Sequence, residues 1–211
     1  KDNYNTLQNL TINNNSHRIN AYKIECPHAS HISLTFSTYL ASPSSKMYVF
    51  NEDKTHFRGP FTLKNSLNHS FGIGIVEGSI IIVEISYKLN ENPELILGEV
   101  VHGYRPIFNI NDRGFAGNSG PCNLDVTCYP EWEEHSKAVA LIIFSGYVCT
   151  GSLINNLQPK LNGQPLPYFT TAYHCNDGGA DITTGVFYFN YKKSCNNPSP
   201  TGTEDIISGA N

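Results

Sequence analysis

Apolar and polar positions alternate along much of this chain. Ile32, Leu34 and Phe36 are interleaved with Ser33, Thr35 and Ser37, the period of a half-buried strand. Met47-Tyr48-Val49-Phe50 predicts a short apolar strand. Ser79–Tyr87 is rich in Ile and Val and predicts a buried strand, and Leu95–Val101 continues the pattern. Arg58-Gly59-Pro60 predicts a turn, because Gly and Pro together set dihedrals that a strand interior avoids. Short strands at spacings of roughly 8–12 residues predict a β-sandwich over residues 19–108. Residues 1–18 are polar, with Asn3, Asn5, Asn9, Asn13, Asn14 and Asn15, and only Leu7, Leu10 and Ile12 are aliphatic. They read as a frayed lead-in or linker.

Four of residues 109–121 are Gly or Pro, so no regular element is expected to cross them, and they read as a linker. A second domain, 122–211, follows. Trp132–Lys137 predicts one helical turn. Ala138–Phe144, Tyr147–Ile154, Pro167–Ala172 and Gly185–Tyr191 predict strands. The third of these runs directly into Tyr173-His174-Cys175 and then a loop, Asn176-Asp177-Gly178-Gly179. The chain has no internal repeat and no low-complexity tract.

Composition sharpens this all-β reading. Only 15% of residues are charged, against about 25% in an average globular protein. The 17 Gly and 12 Pro are scattered, as many short strands and turns require. A net charge of −4 without a basic stripe argues against nucleic acid as a partner. The longest apolar runs, Ile80–Val83 and Ala138–Phe144, are too short for a membrane-spanning helix. The chain begins at Lys1 with no basic and apolar leader, which leaves a removed signal and a fragment both open.

Six cysteines carry the strongest compositional signal: Cys26, Cys122, Cys128, Cys149, Cys175 and Cys195. None forms a Cys-x-x-Cys pair, so disulfides in an oxidising compartment are the better reading than zinc or redox motifs. Three glycosylation sequons, at Asn9, Asn14 and Asn68, point the same way and support secretion. Spacing alone leaves all 15 pairings of six cysteines open.

Cys149-Thr150-Gly151-Ser152-Leu153-Ile154, followed by Thr170-Thr171-Ala172-Tyr173-His174-Cys175, resembles the trypsin-like serine endopeptidases. In particular it resembles the lysyl endopeptidase branch of secreted microbial enzymes. Cys122-Asn123-Leu124-Asp125-Val126-Thr127-Cys128, and Phe189-Asn190-Tyr191 with Cys195, carry the same resemblance. Arg58-Gly59-Pro60-Phe61-Thr62 and Gly98–Arg105 resemble the region that precedes the peptidase in such precursors. The resemblance implies an all-β fold, an N-terminal β-sandwich followed by the first barrel of a trypsin-like double β-barrel. It implies His174 as the general base, Cys149–Cys175 and Cys128–Cys195 as disulfides, and a partner for Cys122 in a second barrel. Cys26 is then either a buried free thiol or a partner of Cys122.

The chemistry agrees with the comparison. A serine hydroxyl is a poor nucleophile until a neighbouring imidazole takes its proton, and that imidazole must be rigidly held. A Cys149–Cys175 bond would fix the residue next to His174. The aspartate and serine that complete such a triad are not recognisable before Asn211, so the expectation is a chain that lacks them and is inactive as it stands. Asp177, Asp181 and Ser208 are given no catalytic role. Arg113-Gly114 is the candidate processing site in the linker. The expected partners are protein or peptide substrates, with cleavage after Lys implied by the family branch alone.

No cofactor is implied and no oligomeric state is specified. A metal site from Cys149, His174 and Cys175 is not expected, because adjacent His and Cys side chains rarely point at one ion. Glu131, Glu133 and Glu134 lack the spacing of a calcium loop. His28 and His31 read as solvated, and His102 as a strand end with a docking contact. The competing class is a secreted, non-catalytic binding module in which a β-sandwich is joined to a degenerate half-peptidase.

Overall fold

The computed structural model describes the backbone of residues 5–13, and residues 16–66, 69–104, 122, 124–144, 146–156, 166–176, 179, 181–195 and 204–209. The fold is all-β, built from antiparallel sheets. Among the described residues, no helix is long and apolar enough to cross a membrane.

The alternating segment around Leu34 is strand β3 (His31–Leu40), at the centre of a three-stranded sheet between β6 (Phe71–Glu77) and β8 (Glu94–Gly103). A five-stranded sheet has the order β1 (Asn5–Asn13), β2 (His17–Glu25), β7 (Ile80–Lys88), β4 (Lys46–Asn51), β5 (Phe57–Phe61). Every second residue of β7 is buried: Ile81, Val83, Ile85 and Tyr87. They meet Ile32, Leu34, Phe36 and Tyr39 of β3 in one core that also takes Met47, Val49 and Ile73. Strict alternation is what a strand needs when a single face is buried.

Three segments differ from what the sequence predicts. Arg58-Gly59-Pro60 lies within β5, not in a turn. This strand is a sheet edge, where a residue without an N–H costs no ladder bond, and its pairing with β4 shifts register between Met47 and Val49. Gly59 is required there: its φ is +117°, and a Cβ would lie 2.6 Å from the Met47 carbonyl oxygen. Residues 5–13, expected as part of a frayed lead-in, form edge strand β1, paired with β2 from Asn5↔Glu25 to Asn13↔Arg18. His31, expected to be solvated, is buried with Gly103 packed on its ring; a Cβ on Gly103 would fall 2.0 Å from its Nε2.

A second five-stranded sheet has the order β11 (Tyr168–Thr171), β10 (Tyr147–Ile154), β9 (Val139–Phe144), β12 (Val186–Phe189), β13 (Asp205–Ser208). A short helix, α1 (Glu133–Ser136), precedes it, with Glu133 and Glu134 in its first turn, where acidic side chains suit the helix dipole. Both faces of this sheet are apolar. Ile143, Val186 and Tyr188 cluster on one, with Leu141 and Val148 packed beside them. Ile142, Phe144 and Cys175 cluster on the other, with Cys149, Phe169 and Phe187.

Strand β6 joins the two halves of the molecule. Six of its seven residues are buried. Its pairing with β3 shifts register between Ile32 and Leu34, so Ile73 and Val76 both enter the first core. Ile75 instead joins Ile143, Val186 and Tyr188 of the second sheet. The linker expected at 109–121 lies outside the described residues.

Candidate active site around His174

Strand β11 pairs with β10 from Ile154↔Tyr168 to Gly151↔Thr171. The hydroxyl of Thr171 donates to the Thr150 carbonyl at 2.9 Å, closing the end of the pair. Gly151 lets the strands approach: a Cβ there would lie 2.2 Å from the Phe169 ring and 2.4 Å from the Thr170 carbonyl oxygen. Phe169 is held edge-on by Phe187, with ring centroids 5.1 Å apart.

After Ala172 the chain leaves the sheet in a 3-10 turn, Tyr173–Cys175, in which Cys175 N–H donates to the Ala172 carbonyl at 3.0 Å. The turn divides its side chains. Cys175 is buried and bonded to Cys149 of β10, with Cα atoms 6.1 Å apart, an ordinary disulfide span. Tyr173 and His174 are exposed. The imidazole is thus displayed to solvent on a base fixed covalently to the neighbouring strand.

Among the described residues no hydrogen bond or ion pair ties His174 to a carboxylate. The Asp181 carboxylate accepts from the Thr183 N–H at 2.9 Å and from its hydroxyl, capping the 3-10 turn Ile182–Thr184. Ser208 sits in β13 opposite Val186. Asp177, Arg113 and Gly114 lie outside the described residues.

A ring nitrogen of His174 and the sulfurs of Cys149 and Cys175 lie within 4.8 Å of one another. Both sulfurs are spent in the disulfide, and a disulfide offers no thiolate to a metal, so this trio is not a metal centre while the bond is intact.

The second disulfide joins Cys128 to Cys195 and closes a 67-residue separation. Thr127 donates to the Lys193 carbonyl at 2.8 Å, and Lys193 lies 3.3 Å from the Asp125 carboxylate beside it. Cys26 and Cys122 are both free. Of the two alternatives for Cys26, the structure has the buried thiol; burial pushes its pKa up and makes it inert, while Cys122 is exposed.

Residues 116–211 match a family model described as "Lysyl endopeptidase, C-terminal domain". The matched segment contains His174 and both disulfides and none of the first two sheets. It marks a lysyl endopeptidase-like relationship and a protease-related domain. No solved structure matches the chain.

The sequence reading missed the residues that join the two halves. Gly72 and Gly74 of β6 receive Thr184 and Tyr188: a Cβ on Gly72 would lie 1.8 Å from the Thr184 carbonyl oxygen, and one on Gly74 would lie 2.3 Å from the Tyr188 hydroxyl. The Phe-Gly-Ile-Gly-Ile pattern was the available signal, since glycine inside a strand marks a close approach.

Proposed function

We propose that the chain belongs to a secreted serine endopeptidase in which His174 is the general base. The supporting observation is the Tyr173–Cys175 turn, which exposes an imidazole beside the disulfide of the buried Cys175, within the segment similar to lysyl endopeptidases. In this reading a β-sandwich precedes the first barrel of a trypsin-like double barrel, with β9–β13 forming that barrel's sheet. The orienting aspartate and the nucleophilic serine are supplied outside the described residues.

The imidazole of His174 accepts the serine hydroxyl proton as that oxygen attacks the scissile carbonyl carbon. It then returns the proton to the leaving amine. Water repeats the sequence to release the acyl group. The substrates are proteins or peptides, cut after lysine, and cleavage at Arg113-Gly114 gives the peptidase part its own N-terminus. Two disulfides suit an oxidising, extracellular setting.

The test is hydrolysis of a lysyl peptide anilide by the secreted protein and its His174→Ala variant. A fall in kcat of about 10⁴-fold or more, with the fold intact, is expected. Comparable turnover by both proteins would overturn the assignment. A secreted protein with no hydrolysis at all would favour the non-catalytic binding module, the reading that an imidazole without a carboxylate partner among the described residues also fits.

A further inference from the structure

Strand β6 is seated in the second five-stranded sheet more closely than side chains ordinarily allow. The Tyr188 hydroxyl accepts the Ile75 N–H at 2.8 Å, in a site where both residues are about 1% exposed. The hydroxyls of Ser70 and Thr183 lie 2.8 Å apart. Glycines 72 and 74 leave the room into which Thr184 and Tyr188 fit. The contact combines an apolar centre, a buried hydrogen bond and close backbone approach, which are the marks of a stable interface and not of a passing encounter.

Its position matters as much as its quality. Ile75 packs on the face of the sheet that carries Ile143, Val186 and Tyr188. Cys175, and with it the His174 turn, packs on the opposite face with Ile142 and Phe144. The two attachments are therefore back to back.

We infer that the N-terminal half is a permanently docked subunit. Once the chain is cut between residues 105 and 121, the first two sheets stay bound through β6 on the face away from His174, and leave His174 open. The partner is the chain's own N-terminal segment. The inference rests on the interface and not on His174 being catalytic.

The experiment places a unique protease site in the 105–121 segment of the full chain and cuts the folded, unreduced protein. Size-exclusion chromatography at micromolar concentration is expected to return both pieces in one peak. Separation of the wild-type pieces without denaturant would overturn the inference.

Gly74→Ala should raise the dissociation constant of the cut protein about tenfold or more, through overpacking against Tyr188. An unchanged constant would remove β6 from the interface. In the cut protein with both pieces bound, carbethoxylation of His174 should run about as fast as that of His28, which is likewise exposed. A much slower rate at His174 would mean that the bound N-terminal half covers the histidine, contrary to the inference. Because association and labelling are read without substrate, failure here is distinct from failure of the peptidase assignment.

Discussion

The Tyr188 hydroxyl and the Ile75 backbone nitrogen are 113 residues apart in sequence and 2.8 Å apart in the fold. That bond crosses from the second five-stranded sheet to the edge of the three-stranded one. Burial pushes the Tyr188 phenol well above its ordinary pKa, so it stays protonated at any physiological pH. Tyr188→Phe keeps the ring and strands the Ile75 N–H in an apolar site, a loss of about 1–3 kcal/mol. Thermal unfolding of the intact chain should show the loss as a drop in Tm. A variant as stable as wild type would show that water replaces the hydroxyl.

The two disulfides should contribute unequally. On the loop-entropy model, the 26-residue separation closed by Cys149–Cys175 is worth about 3.5 kcal/mol and the 67-residue separation closed by Cys128–Cys195 about 4.4 kcal/mol, as upper figures. Paired Cys→Ser variants should follow that order in denaturant midpoint. Function should invert it: only loss of Cys149–Cys175 frees the turn that carries His174, and on the peptidase reading it should lower kcat more. Equal effects on kcat would detach the bridge from the site.

What the sequence made legible, and what it hid, follows from burial. Strands β3 and β7 could be read because each turns alternate apolar residues into a single core, which in β7 leaves Ile81, Val83 and Ile85 alternating with half-buried positions. Strand β6 could not, because both its faces are buried and glycines occupy the close approaches. Pro60 misled because a proline forbidden in a central strand is acceptable on an edge, and edge position is a tertiary property. His31 misled because its burial depends on Gly103, 72 residues away. The His174 turn was legible because its constraints are local: a strand, a glycine that admits a neighbour, and a cysteine one residue away.

Gly151 lies on that local path. Gly151→Ala would put a methyl group 2.2 Å from the Phe169 ring and 2.4 Å from the Thr170 carbonyl oxygen, both on β11. Overpacking of this kind costs about 1–3 kcal/mol. The displaced strand is the one that leads into His174, so kcat should fall on the peptidase reading even at temperatures where the variant is fully folded. Near-ultraviolet circular dichroism separates the two effects: a wild-type spectrum with low kcat places the damage at the turn. Wild-type kcat with reduced stability would make Gly151 a packing residue only.

Stability should also fall in mild acid through His56. Burial, reinforced by the Arg58 charge, holds this imidazole down to about 4, while its Nδ1 accepts the Glu77 N–H at 3.0 Å. An unfolded chain protonates histidine near 6.5. Between those two values the unfolded state binds a proton that the folded state refuses, so unfolding becomes easier as pH falls. Above about 6.5 both states are neutral and the group adds no pH dependence. The site is only partly shielded from water, so the loss is on the order of 1 kcal/mol across the window. Carboxylates with lowered pKa, Asp53 and Glu91 among them, titrate lower and steepen the acid limb below it. His56→Gln isolates the effect, since an amide oxygen can still accept the Glu77 N–H without titrating. Urea midpoints measured from pH 7 to 4.5 should decline less for His56→Gln than for wild type, and parallel curves would show that His56 is protonated as readily in the fold as outside it.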